Sequence, residues 1–344
     1  MSVRKGTRAP ALLAFVVLLL SLVSPASAQS QSRAKKKKEI PRGTPVMWRA
    51  PEDIASRDLF DGPGGEAGRP DVRRVTFVEQ ETGGYSPKFR VRDAAGRVWV
   101  AKMGKEAQPE TAAVRLLWAV GYPTEVNYLV PCVRIEGAPR PSKEVERCAG
   151  GGFANVRFEA RPAGVKRAGE WKWKQNPFVG KRELRGLAVM MALFNNWDLK
   201  DSNNVILAAR NPRTGRQQLR HAISDLGATF GKTGSGFIVW RLTRSRNEPE
   251  DYVKSDFVEG VKRGRVSFNY GGKNQGLFDD IRVEEARWIG RWLARLSDRQ
   301  IADAFRAANY SPDEIRLLAS AVRSRANELV NLPRGGRAAV GRRR

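Results

Sequence analysis

Four side chains of this chain have the types and the order that phosphoryl transfer needs: Lys102, Asp198, Asn203 and Asp225. That chemistry asks a protein mainly for positioning and charge. A carboxylate orients the acceptor hydroxyl, lysines offset developing negative charge, and hard oxygen ligands hold a magnesium ion. The run Asn196-Trp197-Asp198-Leu199-Lys200-Asp201-Ser202-Asn203 supplies a carboxylate, a lysine two residues on and an asparagine five residues on. After a short apolar stretch, Ser224-Asp225-Leu226-Gly227 adds a second carboxylate. In this reading Asp198 orients the acceptor and Lys200 sits by the transferring group, while Asn203 and Asp225 ligate Mg²⁺. Taken alone, Asp-Leu-Lys-x-x-Asn also reads as an ordinary turn between a helix and a strand. The joint pattern favours a site.

A strand Val98-Trp99-Val100-Ala101-Lys102 ending in lysine would offer a point charge to the α- and β-phosphates of ATP. Its expected partner is Glu110 on the following helix, with Glu106 as the second candidate. The loop Gly83-Gly84-Tyr85-Ser86-Pro87-Lys88 is the candidate phosphate cover, with Gly83, Gly84 and Ser86 as its binding residues. Glycines let backbone N–H groups approach an anion closely. A full G-x-G-x-x-G is absent, and a plain turn would look the same.

These groups need elements to hold them. Val75-Thr76-Phe77-Val78 reads as a strand and Phe89-Arg90-Val91-Arg92 as a half-buried one. A turn at residues 93–96 leads into the strand carrying Lys102. Residues 110–120 follow as a helix with Ala113, Leu116, Leu117 and Val120 on one face, and Gly121 stops it. Residues 128–135 and 156–159 read as further strands. Residues 182–197 read as a helix that delivers the chain into the Asp198 loop. Strands at 204–207 and 219–224, joined by a turn at 211–215, return Asp225 to Asn203. Amphipathic helices are expected over 282–297 and 311–331.

With these motifs in place, the chain resembles the protein-kinase-like superfamily, closer to its atypical HipA-type and phosphoinositide-kinase-like branches than to ordinary eukaryotic protein kinases. The resemblance spans about residues 75–329. It implies an α+β, two-lobed fold with a small β-rich N-lobe and a mainly helical C-lobe, and ATP and Mg²⁺ as cofactors. The chain departs from the family pattern in places. Asn196-Trp197 replaces His-Arg before Asp198, Leu226 replaces Phe, and no Ala-Pro-Glu follows. The expected activity is transfer of a γ-phosphoryl group to an unidentified hydroxyl on a protein, lipid head group or small molecule. The alternatives are an inactive kinase-like module binding an anionic ligand or partner, and a nucleotidyltransferase using the same cleft.

The chain has 344 residues, 41% of them hydrophobic, with a formal charge of +26. That field draws anionic ligands and surfaces of every kind, and base-stacking modules are not visible in the sequence. Residues 1–28 read as a signal peptide: Arg4, Lys5 and Arg8, an apolar run from Ala11 to Val23, then Ala26-Ser27-Ala28. The protein is therefore expected to be exported, periplasmic or secreted, with no span after cleavage. Residues 29–70, including Lys35 to Lys38, are expected to be a basic disordered linker. The N-lobe is placed at 71–160, the C-lobe at 161–332 and a basic disordered tail at 333–344. Either tail would suit an anionic surface. Cys132 and Cys148 are expected to pair in an oxidising compartment, with two free thiols as the other possibility. Trp171-Lys172-Trp173-Lys174 suits stacking on bases, a seat at a lipid interface, or burial of both Trp residues with the Lys outward. The lone His221 fits the core better than catalysis.

Overall fold

The computed structural model describes residues 40–234 and 240–333. The first strand, β1 (Thr44–Val46), belongs to the sheet of the second lobe. The first lobe is a six-stranded sheet made of β2 (Val75–Glu81), β3 (Lys88–Arg92), β4 (Val98–Lys102), β5 (Asn127–Val133), β6 (Ile135–Glu136) and β7 (Phe153–Ala160), in the order β5-β7-β4-β3-β2-β6. Helix α1 (Ala107–Ala119) leaves the end of β4. Alternation in the strands sorts the two faces of this sheet. Phe89, Val91, Trp99, Ala101, Val156 and Phe158 join one apolar cluster. The other face carries charge in register: Lys88 opposite Lys102 opposite Arg157, then Arg90 opposite Val100 opposite Glu159.

The second lobe is mainly helical. It holds β8 (Lys166–Gly169), α2 (Arg182–Leu193), β9 (Asn204–Arg210), β10 (Gln217–Ile223), the short α3 (Trp240–Thr243), α4 (Pro249–Lys254) and the hairpin β11 (Val258–Lys262) and β12 (Arg265–Phe268). Helices α5 (Val283–Leu293), α6 (Asp298–Arg306) and α7 (Pro312–Val330) close it. Its main sheet runs β1-β10-β9-β8. The result is the two-lobed α+β arrangement that the resemblance implies.

Three expectations are corrected. Residues 40–70 are not a disordered linker. Thr44–Val46 pairs in parallel with Gln218–Arg220, and Met47, Ile54 and Leu59 enter the largest core, so apolar burial overrides a polar composition. Residues 29–39, the signal peptide and residues 334–344 lie outside the described residues. Second, the helix read over 182–197 ends at Leu193, because Asn195 takes φ +54° and turns the chain out of the helix. Third, the helix read over 282–297 ends at Leu293, and Ser297 starts a new one. Its side chain accepts a hydrogen bond from the Gln300 N–H in a capping box.

Cys132 and Cys148 form a disulfide, with Cα atoms 5.7 Å apart. No helix among the described residues is long and apolar enough to cross a membrane.

Arg325 of α7 secures the exit of α2. Its guanidinium donates to the carbonyls of Leu193 at 2.7 Å, Tyr252 at 2.9 Å and Ser255 at 3.0 Å, and to Asn195 Oδ1 at 3.0 Å. It is 5% exposed and stacks on Tyr252. Replacing Arg325 by Met strands these buried acceptors and is expected to cost about 3 kcal/mol or more in denaturant unfolding. A loss under about 1 kcal/mol would show that α2 does not depend on it.

Candidate active site

The chain leaves α2 through Asn195 and enters the segment that carries Asp198, Lys200 and Asn203. Several contacts hold that segment. Trp171 and Trp173 are buried edge-to-face with ring centroids 4.9 Å apart. The Trp171 carbonyl accepts from Asn204 Nδ2 at 2.9 Å, and the Trp173 N–H donates to Asp201 at 3.0 Å. The Trp-Lys-Trp-Lys run thus packs its rings inward and braces the loop, while Lys172 and Lys174 face solvent. His221 is also buried, with Nδ1 3.0 Å from the Leu219 carbonyl and its ring near Trp171 and Phe178. Burial pushes its pKa down, against the contact with the Leu219 carbonyl.

On the other side, residues 270–274 are stitched to the same segment. Lys273 N donates to the Trp197 carbonyl at 2.9 Å, Tyr270 Oη to the Asn196 carbonyl at 2.8 Å and Asn274 Nδ2 to the Leu199 carbonyl at 2.5 Å. Gly272 is required there, because a side chain would meet the Trp197 Cα at 2.6 Å. This apposition delivers Lys273 to Asp198. Lys200 Nζ lies 2.8 Å from Asp198 Oδ2, and Lys273 Nζ lies 2.8 Å from Oδ1. Burial alone would raise the Asp198 pKa; the two ammonium groups outweigh it and hold the carboxylate ionised.

Asn203 donates its amide to the Asp198 carbonyl at 2.7 Å and to Oδ2 at 3.4 Å. Its Oδ1 is left without a donor among the described residues. The hairpin β9–β10 pairs Asn204 with Ile223, and the N–H groups of Ser224 and Asp225 both point at the Asn203 carbonyl. Asp225 therefore sits beside Asn203. Asp225 Oδ1 accepts from the Gly227 N–H at 3.1 Å and from Lys102 Nζ at 3.3 Å, leaving Oδ2 open. Burial opposes its ionisation, yet Lys102, the Gly227 N–H, Lys88 and Arg157 hold its pKa far below the usual range. Asn203 Oδ1 and Asp225 Oδ2 are two uncommitted hard oxygens, and Mg²⁺ usually takes only one or two from protein. No group of three His, Cys, Asp or Glu suited to a metal occurs among the described residues, so a closed protein cage is not what this cleft offers.

Lys102 is 2% exposed and meets three carboxylates: Glu110 at 2.8 Å, Glu106 at 3.0 Å and Asp225 at 3.3 Å. Burial favours its neutral form; Asp225, Glu110 and Glu106 together reverse that and raise its pKa. Both helix candidates thus reach the lysine, and they differ in their other partners. Glu110 also pairs with Arg157 at 2.8 Å. Glu106 accepts from Ser86 Oγ at 2.8 Å and pairs with Arg246 of the C-lobe. Gly227 lets the lobes close on Glu106, whose Cβ would lie 2.5 Å from any Cβ there.

These groups border a cavity of about 600 Å³ between the lobes, with Gly84, Lys102, Glu106, Asp198, Asn203 and Asp225 on its wall. Lys200 lines it too. Gly83, Ser86 and Glu110 are not on the wall; Ser86 contacts Glu106 and Glu110 contacts Lys102 behind it. Sequence reading missed Lys273 and Arg246, and took Lys88 only as the end of the candidate phosphate loop. The Gly271-Gly272-Lys273 run was the one local signal for Lys273; only the tertiary fold brings Arg246 into the cleft.

No family model and no curated protein matches this sequence. Among solved structures, the Helicobacter pylori proinflammatory kinase CtkA superposes with a TM-score of 0.40 and 12% identity, over 74% of this chain and 98% of that one.

Where β7 and β8 border the cleft, buried Glu125 accepts from Ser224 Oγ at 2.8 Å and pairs with Arg167, close to Glu159. Burial and the Glu159 charge push its pKa up from 4.5 to about 7, while Arg167 and Arg161 oppose them. The folded state therefore binds a proton that the unfolded chain releases near pH 4.5. The stability from this proton is complete below that pH and is lost as pH rises towards 7. Glu125→Gln keeps the neutral form throughout. Relative to this variant, the wild type should lose about 2 kcal/mol of unfolding free energy between pH 5 and 8. Parallel stability–pH curves for the two proteins would refute the shift.

Proposed function

We propose that this protein is a Mg²⁺- and ATP-dependent phosphotransferase of the kinase-like type, exported and acting on a hydroxyl acceptor. The observation that carries the reading is the convergence of Lys102, Asp198, Asn203 and Asp225 on one inter-lobe cavity from separate segments of the chain. Asp198, kept ionised, accepts a hydrogen bond from the acceptor hydroxyl and orients it for in-line attack. Lys200 offsets charge on the group in flight, and Lys102, fixed by Glu110 and Glu106, receives the donor's phosphates. Asn203 Oδ1 and Asp225 Oδ2 would hold the metal, which would neutralise phosphate charge. Gly84 keeps a φ of +81° on the cavity wall, where its backbone approaches the phosphate end.

Export rests on the signal-peptide pattern of residues 1–28 and is supported by the Cys132–Cys148 disulfide, which belongs in an oxidising compartment. The acceptor lies on the side of Asp198 facing Lys273, whose side chain is 36% exposed and whose ammonium must shift for a hydroxyl to reach Oδ1.

The test is intact mass measurement after incubation with Mg-ATP. The wild type should gain a phosphoryl group or pass one to an added acceptor. Asp198→Asn should lower that rate by roughly 10²-fold or more while Mg-ATP still binds. Full activity in Asp198→Asn would overturn the assignment, and an adenylyl-sized gain would make the cleft a nucleotidyltransferase.

A further inference from the structure

The wall of the cleft away from Asp198 bears on which donor it accepts. Ligand sites for drug-sized molecules are mostly apolar, with a few placed polar groups. Here the N-lobe wall is charged. Its two registered rows are Lys88–Lys102–Arg157 and Arg90–Val100–Glu159, and Arg161 and Arg167 continue it beside the lobe connection. Val100 is the single aliphatic side chain longer than Ala on this wall.

A side chain that reads a base needs a free acceptor for its amino and imino groups, or an open π-face. The wall's carboxylates are engaged by its cations: Glu159 by Arg157 at 2.8 Å and by Arg161, Glu81 by Arg90 at 2.7 Å, and Glu106 by Lys102 and Arg246. Tyr85, the one aromatic on the wall, already carries Lys143 at 3.9 Å and Arg246 at 4.4 Å from its ring centroid.

What remains uncommitted is positive. Like charges directly opposite on a sheet destabilise it unless an anion intervenes. Lys102 and Arg157 have their carboxylates, but Lys88 has no hydrogen-bond or ion-pair partner among the described residues. Its ammonium lies 3.2 Å from where a Cβ of Gly84 would stand, at the phosphate-loop backbone. Arg157 leaves Nε and Nη1 without acceptors too, but both atoms are buried, so the open positive charge is that of Lys88. An anion gains from this wall, and a neutral base gains little.

We infer that the donor is selected by its polyphosphate and not by its base, so that the cleft takes nucleoside triphosphates generally and inorganic tripolyphosphate as well. This deepens the phosphotransferase reading and rests on it. The test is calorimetric titration of the full mature protein with four probes, the first three with Mg²⁺: ATP, GTP, tripolyphosphate and adenosine. The three polyphosphates should bind within about fivefold of one another, and adenosine should show no binding at millimolar concentration. Lys88→Ala should weaken all three polyphosphates by a similar factor of about five to ten. ATP binding more than about twentyfold tighter than GTP and tripolyphosphate would overturn the inference and leave the phosphotransferase reading intact. Binding of none of the polyphosphates would overturn both.

Discussion

A buried ammonium cannot sit alone in a protein interior, and the placement of Lys102 organises much of this molecule. Removing a charge from water costs several kcal/mol, recovered only with well-placed counter-charges. Lys102 therefore needs carboxylates from three elements at once: Glu106 before α1, Glu110 within it, and Asp225 after β10. The first two set α1 against β4. The third crosses between lobes and fixes the width of the cleft. Glu110 and Arg157 extend the same network into β7, so a charged layer lies under the cleft while the opposite face of the sheet is apolar. Losing Lys102 would remove the one cation that these three carboxylates share.

The loop bearing Asp198 is fixed by another means. Its anchors are mostly hydrogen bonds to main-chain carbonyls, from Tyr270, Asn274 and Lys273 on one side and Asn204 on the other. Bonds of this kind set backbone position without consuming the side chains that do chemistry. Arg325 performs the same service for the carbonyls at the end of α2. Each such bond contributes only about 1 kcal/mol net, but leaving its buried acceptor unpaired costs more, so the set specifies one loop conformation.

A formal charge of +26 and a cleft rich in lysine and arginine point the same way. The field concentrates anions near the protein, and in the proposed function the cleft would convert that attraction into placement through Lys88, Lys102 and Lys200. Long-range charge alone would serve any anion. In the proposed function, selectivity for a metal-bound polyphosphate would come from the two open oxygens of Asn203 and Asp225 beside those lysines.

Much of this was legible in the sequence where chemistry is local. The spacing of Asp198, Lys200 and Asn203, the apolar strand after them and the alternation in residues 89–92 are short-range patterns, and β9, β10, β3 and β4 appear where those patterns place them. Helix ends were less legible, because the positive φ at Asn195 and the cap at Ser297 depend on single residues within continuous apolar periodicity. Residues 40–70 were misread because a polar composition hides Met47, Ile54 and Leu59, whose burial depends on partners far along the chain. The same holds for Lys273 and Arg246. The sequence by itself determined which groups are available and in which local order. Only the tertiary structure decided that Glu106 and Glu110 share Lys102, that two lysines flank Asp198, and that Lys88 faces the cleft unpaired. The contacts of Asp225, Arg246 and Lys273 turn on distances between segments tens to more than a hundred residues apart, which burial and charge balance set and periodicity does not encode.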